Sequence, residues 1–451
     1  MYPRDWRLIS LSFGVFTLSM LTMYAIQNVI LDGANVPEHG WRLIIATTGG
    51  ILWCIPLLAG MLSWFGTLAQ RKSPPPLTPK AAPLPNLVSF RFMSRGTNPD
   101  ALRSSILSVH EMMRRLPLFP YIIEVCVETP QPDLPENTIE MILPAEYHTA
   151  NGTLYKGRAL QYALENSDIP DDAWIMHCDE ESHAHESLIQ GIYNAVREEE
   201  ASGQHHIGQG AILYYNSLKA HPFLTLADSI RTGDDIGRFH LQNRYWKVPV
   251  WGFHGSFILV RNSVEKETGF DFGPNGSITE DAFWALASAE KGARSRWVDG
   301  FMVEQGTESF GDFIKQRRRW YVGLVKVVRH APTKLRLRLP LAVFTAFWSV
   351  SWIAILYTYF TFAVGWRADT TVQLLGNLSL ASYVCIYTVG LRTNLLLHKE
   401  SWLRKIGLYT AQIAAIPLFA VLESTGVLLA LVRPEKGFHV VNKSMTAEQS
   451  A

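Results

Sequence analysis

Three consecutive acids, Asp179, Glu180 and Glu181, follow the apolar run Trp174-Ile175-Met176 after only His177 and Cys178. A buried strand that ends in carboxylates gathers like charges, and a positive charge has to meet them. The D-x-E spacing suits hard Mg2+ or Mn2+, which take carboxylate oxygens and share their remaining positions with phosphate and water. An acidic turn facing solvent is the plainer reading of the same string. Further strings bear on the choice. "SITEDAFWALASAEKGAR" (277–294) predicts a helix capped by Ser277 or Thr279, with Glu280 and Asp281 in its first turn. Those acids are either reactive groups or ordinary dipole and cap chemistry. "QRRRWYVGL" (316–324) sets Arg317, Arg318 and Arg319 beside Trp320. Guanidinium forks suit phosphate and an indole face suits a sugar ring, whereas a basic patch on anionic lipid is the alternative. "WGFHGSF" (251–257) has the glycine-plus-aromatic make-up of a sugar-facing loop, in which His254 is either a sugar contact or, as solitary histidines more often are, structural.

The elements that must position these residues alternate. "LVSFRFMS" (87–94), "YIIEVCVE" (121–128) and "AWIMHCDEE" (173–181) read as strands. "DALRSSILSVHEMMRRL" (100–116), with Asp100 near its cap, and "KGRALQYALEN" (156–166) read as helices. This rhythm predicts a mostly parallel α/β sheet, whose ligands bind at the carboxyl ends of strands. Glu128 and Asp179 to Glu181 stand at two such ends. The segment 224–246 reads as a surface helix, with lining of an acceptor entrance as the alternative.

The 451 residues carry a net charge of +1, which gives no electrostatic footprint for nucleic acid. Apolar runs at 8–31, 43–69, 339–366, 372–397 and 406–432 each exceed the ~20 residues that cross a bilayer core. Lysine and arginine cluster before the first run, after the second and before the third. By the positive-inside rule the N-terminus and the intervening domain face the cytoplasm. The four cysteines suggest no disulfide framework, and the sequons at Asn151 and Asn275 then read as chance matches. The expected organisation is two transmembrane helices in 1–70, a proline-rich linker in 71–86 and a cytoplasmic catalytic domain in 87–330. Transmembrane or interfacial helices in 331–432 and a cytoplasmic tail in 433–451 complete it. A tail that returns to the cytoplasm requires an even number of crossings after residue 338. The run 406–432, with Pro417 and Glu423 inside it, is the one expected not to cross straight.

Taken in order, the strand-end acid, "KGRALQ", "DEE", "TED" and "QRRRW" resemble the signatures of membrane-bound family-2 glycosyltransferases. "SRGTNPD", "GQGAILYYN", "LTLADSIRTGDDIGRFHLQ" and "WGFHGSF" look like the Egghead β-1,4-mannosyltransferase subfamily over roughly 90–330. The resemblance implies a glycosyltransferase-A fold and an inverting, metal-dependent transfer of a hexose. Mannose from GDP-mannose onto a lipid-linked sugar such as glucosylceramide is the implied reaction. By position, Glu128 would contact the donor base or ribose, Lys156 the diphosphate or base, and Asp179 the ribose or metal. Glu181 would ligate Mg2+ or Mn2+, although a second aspartate is usual there. Asp281 would be the general base, Arg319 would hold the departing diphosphate, and Trp320, with Glu280 and His254, would meet the acceptor. "FHVVNK" (438–443) resembles a gating loop running from Phe438 to Lys443, with Val441 where threonine is usual. The resemblance places the enzyme in the endoplasmic reticulum or Golgi of a eukaryotic cell. A processive polysaccharide synthase is the rival enzyme, and a non-catalytic receptor or scaffold the rival outside enzymes.

Overall fold

The structure is a computed structural model, and it describes residues 4–30, 40–72, 77, 81–214, 221–366 and 368–434. Three helices, α1 (Trp6–Ala25), α2 (Gly40–Cys54) and α3 (Leu57–Leu68), precede the sheet domain. That domain runs β1 (Val88–Ser94), α4 (Pro99–Arg115), β2 (Tyr121–Val127), β3 (Thr138–Ile142), α5 (Tyr155–Asn166), β4 (Trp174–Asp179) and β5 (His183–Ala184). It continues through α6 (Glu186–Ser202), β6 (His206–Leu213), α7 (Pro222–Asp234), β7 (Ile258–Arg261), α8 (Asn262–Thr268), α9 (Glu280–Glu290), β8 (Arg294–Val303) and α10 (Phe310–His330). Three long helices follow: α11 (Leu335–Val364), α12 (Thr370–Asn394) and α13 (Trp402–Val432).

The eight strands form one sheet in the order β3-β2-β1-β4-β7-β6-β8-β5. Strands β7 and β5 run against the other six. Side chains alternate between faces with period two, and both faces are covered, so the strands read as apolar runs. Val88, Phe90 and Phe92 of β1 pack with Leu102 and Ile106 of α4 on one side, whereas Met93 and Ile175 join Ala159 and Trp284 on the other. A buried ionic chain crosses the second face. Arg91 Nε donates to Glu124 at 2.9 Å, Arg91 Nη1 to Glu265 at 2.6 Å, and His177 Nε2 meets Glu265 at 2.6 Å.

Helix α4 starts one residue earlier than expected, at Pro99, because Asn98 is its cap and accepts from the Ala101 amide. The expected capping at 277–279 is also different. Thr279 holds the cap position of α9 without a side-chain bond, and Ser277 instead accepts from the Leu154 amide and donates to the Gly273 carbonyl. That bond fixes the start of α5 against the start of α9, so Lys156 and Glu280 face each other.

Five helices among the described residues are long and apolar enough to cross a membrane: Trp6–Asn28, Gly40–Leu68, Leu335–Phe360, Thr370–Leu397 and Trp402–Val432. The segment after β6 is not the surface helix the sequence suggests. α7 is buried against α12, and the segment that follows it, Asp235–Phe239, is buried against α3, both through close backbone contacts. A Cβ on Gly390 would stand 1.8 Å from the Ser229 carbonyl oxygen, and one on Gly66 2.0 Å from that of Gly237. The helix continues beyond α7 in wider turns at Asp235–Phe239 and Gln242–Trp246. Helix α13 is continuous through Pro417 and lies against the sheet domain for much of its length. Gln412 reaches the Leu226 carbonyl, Phe419 packs on Phe223, and Glu423 pairs with Arg317 at 2.7 Å.

Candidate active site

Because β2, β4 and β8 run parallel, their carboxyl ends share one edge of the sheet. Glu128, Asp179 and Glu304 stand at those ends, and all three line a single cavity of about 1080 Å3. Asp179, Glu181 and Glu304 each offer a carboxylate oxygen within 4.8 Å of the other two. Glu181 and Glu304 are buried, and Glu304 Oε1 accepts from Ser182 Oγ at 3.1 Å and from Ser256 Oγ. Burial, then the neighbouring Asp179, raises the Glu304 carboxyl above its ordinary range. Three hard carboxylates in one place are a donor set that fits Mg2+ or Mn2+.

Lys156 supplies a protein charge to this edge. Its ammonium donates to Asp179 and, at 2.7 Å, to the Gly255 carbonyl, and it lies 3.9 Å from Glu280. Burial alone would lower its pKa, but Asp179 and Glu280 outweigh that and hold it above the usual value. Gly255 is the meeting point. A Cβ built there would lie 3.0 Å from Lys156 Nζ, 3.4 Å from Asp281 Oδ2 and 3.8 Å from Asp179 Oδ2. The loop can pass between two carboxylates and an ammonium because residue 255 has no side chain.

Asp281 sits in the first turn of α9, and its Oδ1 accepts from the Ala282 amide at 2.7 Å. Burial raises it, while that amide, Lys156 and His254 pull it back. Its neighbour Glu280 is pushed up to about 8, by burial first and by Asp281 second. Both adjacent acids are thus raised above the ordinary carboxylate range, Glu280 the further of the two. Arg319 is half-buried near the same acids. Burial lowers its pKa, and Glu280, Asp179 and Asp281 counter this, which leaves a guanidinium in the cavity.

Residues 174–397 match the model of glycosyl transferase family group 2. A Drosophila melanogaster protein, β-1,4-mannosyltransferase egh, is 29% identical over 444 residues, covering 94% of this chain and 96% of its own. The Caenorhabditis elegans β-1,4-mannosyltransferase bre-3 is 28% identical over 405 residues, covering 87% of this chain and 85% of its own. A solved mannosyltransferase from Pyrobaculum calidifontis, in complex with GDP-Man and Mn2+, is 14% identical and covers 84% of this chain and 98% of that one, with a TM-score of 0.45. Residues 174–397 thus carry a family-2 glycosyltransferase domain, and the chain as a whole is similar to β-1,4-mannosyltransferases. Its sheet is the mixed, mostly parallel sheet of the glycosyltransferase-A fold expected from the sequence.

The remaining residues expected in this glycosyltransferase's site fall as follows. Glu128 is at the cavity rim, with Arg158 at 3.4 Å and Arg95 at 3.6 Å. Trp320 lines the cavity, but its ring already carries the guanidinium of Arg317 at 4.5 Å and that of Arg231 at 4.7 Å from its centroid. His254 lines the cavity and pairs with Asp235. Burial would lower its pKa, and Asp235 reverses the sign. Phe438 and Lys443 lie outside the described residues. Glu304 escapes the sequence reading although "RWVDGFMVE" ends on an acid just as "AWIMHCDEE" does. That ending was the available signal. Arg231 escaped because its helix reads as surface.

Proposed function

We propose that this enzyme transfers mannose from GDP-mannose to the sugar of a membrane glycolipid, glucosylceramide being the first acceptor to test, and forms a β-1,4 linkage with inversion. The observation that carries this reading is the convergence of Lys156 Nζ, Asp179 Oδ2 and Asp281 Oδ2 around Gly255 in one cavity. The activity named for the Drosophila and Caenorhabditis relatives supports the choice of sugar and linkage.

Asp179, Glu181 and Glu304 would hold Mg2+ or Mn2+, which when bound would supply charge neutralisation at the donor diphosphate. Arg319 adds a fixed positive charge where negative charge develops on the leaving group. Lys156 holds Asp179 in place and stands where it can turn toward a phosphate oxygen. Glu128, at the rim, is the group placed to meet the donor's base or ribose. Asp281 would take the proton from the incoming hydroxyl, a contribution of about 10²- to 10⁴-fold. Glu280, protonated, stays neutral beside it and can donate to an acceptor oxygen, and the edge of Trp320 offers an apolar surface to the sugar. One base and one in-line displacement turn an α-linked donor into a β-linked product.

The catalytic domain would face the cytoplasm, in the endoplasmic reticulum or Golgi membrane of a eukaryotic cell. With α13 lying along α7 and α10 at the interface, α11 and α12 would be the two crossings that return the chain to the catalytic side. The test is mass spectrometry of purified protein with Mn2+ or Mg2+, GDP-mannose and glucosylceramide, with UDP-glucose in parallel. A single added hexose from GDP-mannose, lost in Asp281→Asn, is the expected result. A ladder of products, or turnover with the UDP-sugar alone, would overturn the mannosyl-glycolipid reading.

A further inference from the structure

The cavity does not end at the acids. It continues between the long apolar helices, where Ala59 of α3, Phe344 and Ile355 of α11, Leu380 of α12 and Ala420 of α13 line it. One space therefore has a charged lobe at the sheet edge and an apolar lobe among helices long enough to cross a bilayer. Asp234 and Arg238 line the same cavity and come from the segment that clasps α3 and α12. Arg238 is 5% exposed. Its Nε donates to Asp234 Oδ1 at 3.1 Å, its Nη2 donates to Asp234 Oδ2, and Ser63 Oγ donates to Asp234 Oδ1 at 2.6 Å. The guanidinium stands 4.3 Å from the ring centroid of Phe344, 5.0 Å from Trp251 and 5.1 Å from Phe239. Its Nη1 is buried without a hydrogen-bond partner among the described residues.

A buried guanidinium N–H left unmade costs about 1–3 kcal/mol or more, so such a donor in a cavity wall marks a place where a ligand oxygen fits. The charge decides which oxygen. Asp234 already neutralises Arg238, and a phosphate arriving there would stand beside an aspartate in an apolar wall, which like charges disfavour. An uncharged hydroxyl or amide oxygen meets no such penalty. We infer that the apolar lobe holds the hydrocarbon of a neutral glycolipid acceptor, and that Arg238 Nη1 donates to an uncharged oxygen where the acceptor's sugar joins its tail. This rests on the glycolipid reading above and adds a site for the tail and a filter at the junction. Aromatic faces on the guanidinium hold its fork in one orientation, as a reading group requires.

The experiment uses the full-length chain in detergent with GDP-mannose and Mn2+. Acceptors are a series of alkyl β-glucosides from methyl to dodecyl, together with a dodecyl chain joined to glucose through a phosphate. For the native enzyme KM should fall at least ~10-fold along the alkyl series, and the neutral dodecyl acceptor should be preferred over the phosphate-linked one. Ala420→Phe, which intrudes on the apolar lobe, should flatten the chain-length dependence. Asp234→Asn, which leaves Arg238 un-neutralised, should shift the preference toward the phosphate-linked acceptor by at least ~5-fold, a change that mere loosening of the fold would not produce. The double variant Asp234→Asn/Arg238→Met removes the pair without stranding a charge and should abolish the preference in either direction. If the native enzyme uses the glucosides but Ala420→Phe keeps its chain-length slope and the two Asp234 variants keep its charge preference, the lobe holds only bulk lipid and the inference fails. If the native enzyme mannosylates no glucoside at all, the glycolipid reading itself fails and takes this inference with it.

Discussion

Replacing Glu304 with glutamine should raise the melting temperature of the metal-free protein and shrink the rise that Mn2+ produces. Asp179, Glu181 and Glu304 lie within 4.8 Å of one another. At that separation two unit charges repel by about 3 kcal/mol for an effective dielectric of ~20. Lys156, paired with Asp179, offsets one of the three charges and leaves roughly two, which one divalent ion would match. Glutamine keeps the acceptor oxygen that receives Ser182 and Ser256, so the hydroxyl contacts survive while one repelling charge goes. Burial and Asp179 raise the Glu304 carboxyl, the direction that repulsion dictates, and side-chain relaxation and solvent screening reduce its size. The net gain without metal should then be about 1 kcal/mol, or roughly 2–4 °C for a domain of this size.

With metal the sign reverses. Loss of one carboxylate worth about 3 kcal/mol of attraction weakens Mn2+ binding by about 100-fold. Thermal melts of the purified protein in detergent, with EDTA and across a Mn2+ titration, read both effects in one experiment. A Glu304→Gln protein that melts lower in EDTA and responds to Mn2+ as the native protein does would refute the reasoning. Glu304 would then be a structural acceptor for two serines and nothing more.

Three other outcomes follow from the same geometry. Gly255→Ala should fold normally, since the nearest atom to the new methyl is the mobile tip of Lys156, yet lose about 10-fold in transfer rate as the Lys156 ammonium is displaced from Asp179; equal turnover with an unchanged melting temperature would count against the convergence. Arg317→Met strands Asp228, which is fully buried, and Glu423, and should cost about 3–5 kcal/mol in unfolding experiments, with Asp228→Asn added to the same chain recovering much of it. Glu280 holds a proton in the folded protein up to about 8, whereas the unfolded chain releases it near ~4.3. Its contribution therefore becomes steadily more destabilising as pH rises from ~4.3 to about 8 and then levels off. The melting temperature of Glu280→Gln minus that of the native protein should grow across this window, and a flat difference would remove Glu280 from the buried acid pair.

What could be read from the chain alone was whatever is local. Apolar runs, alternating strands and acids at strand ends are written in consecutive residues, so three of the sheet's parallel strands, β1, β2 and β4, and the Asp179, Glu181 and Asp281 positions were legible, whereas the short edge strand β3 was not. Glu304 was not, because β8 is interrupted by Asp299 and Gly300 and its place beside β6 comes from pairing, not from its own pattern. Arg238 was hidden for a different reason. An Asp234–Arg238 pair at i, i+4 is what an exposed helix also displays. Only the close approach of α3 and α12, which Gly66 and Gly390 permit, turns that exposed-looking face into a cavity wall. Glu423 carries the same lesson in reverse. In an apolar run it reads as an obstacle to a straight span, yet its partner is Arg317, 106 residues away in α10. The arginine is itself buried and paired on its other side with Asp228. An acid inside a hydrophobic stretch thus reports a cation brought to it by the fold, and here that cation belongs to the helix that also carries Arg319 and Trp320 into the active site. The apolar helix α13 and helix α10, whose Arg319 and Trp320 line the cavity, are thus joined by Glu423, the acid that made the run 406–432 look unfit for a straight span.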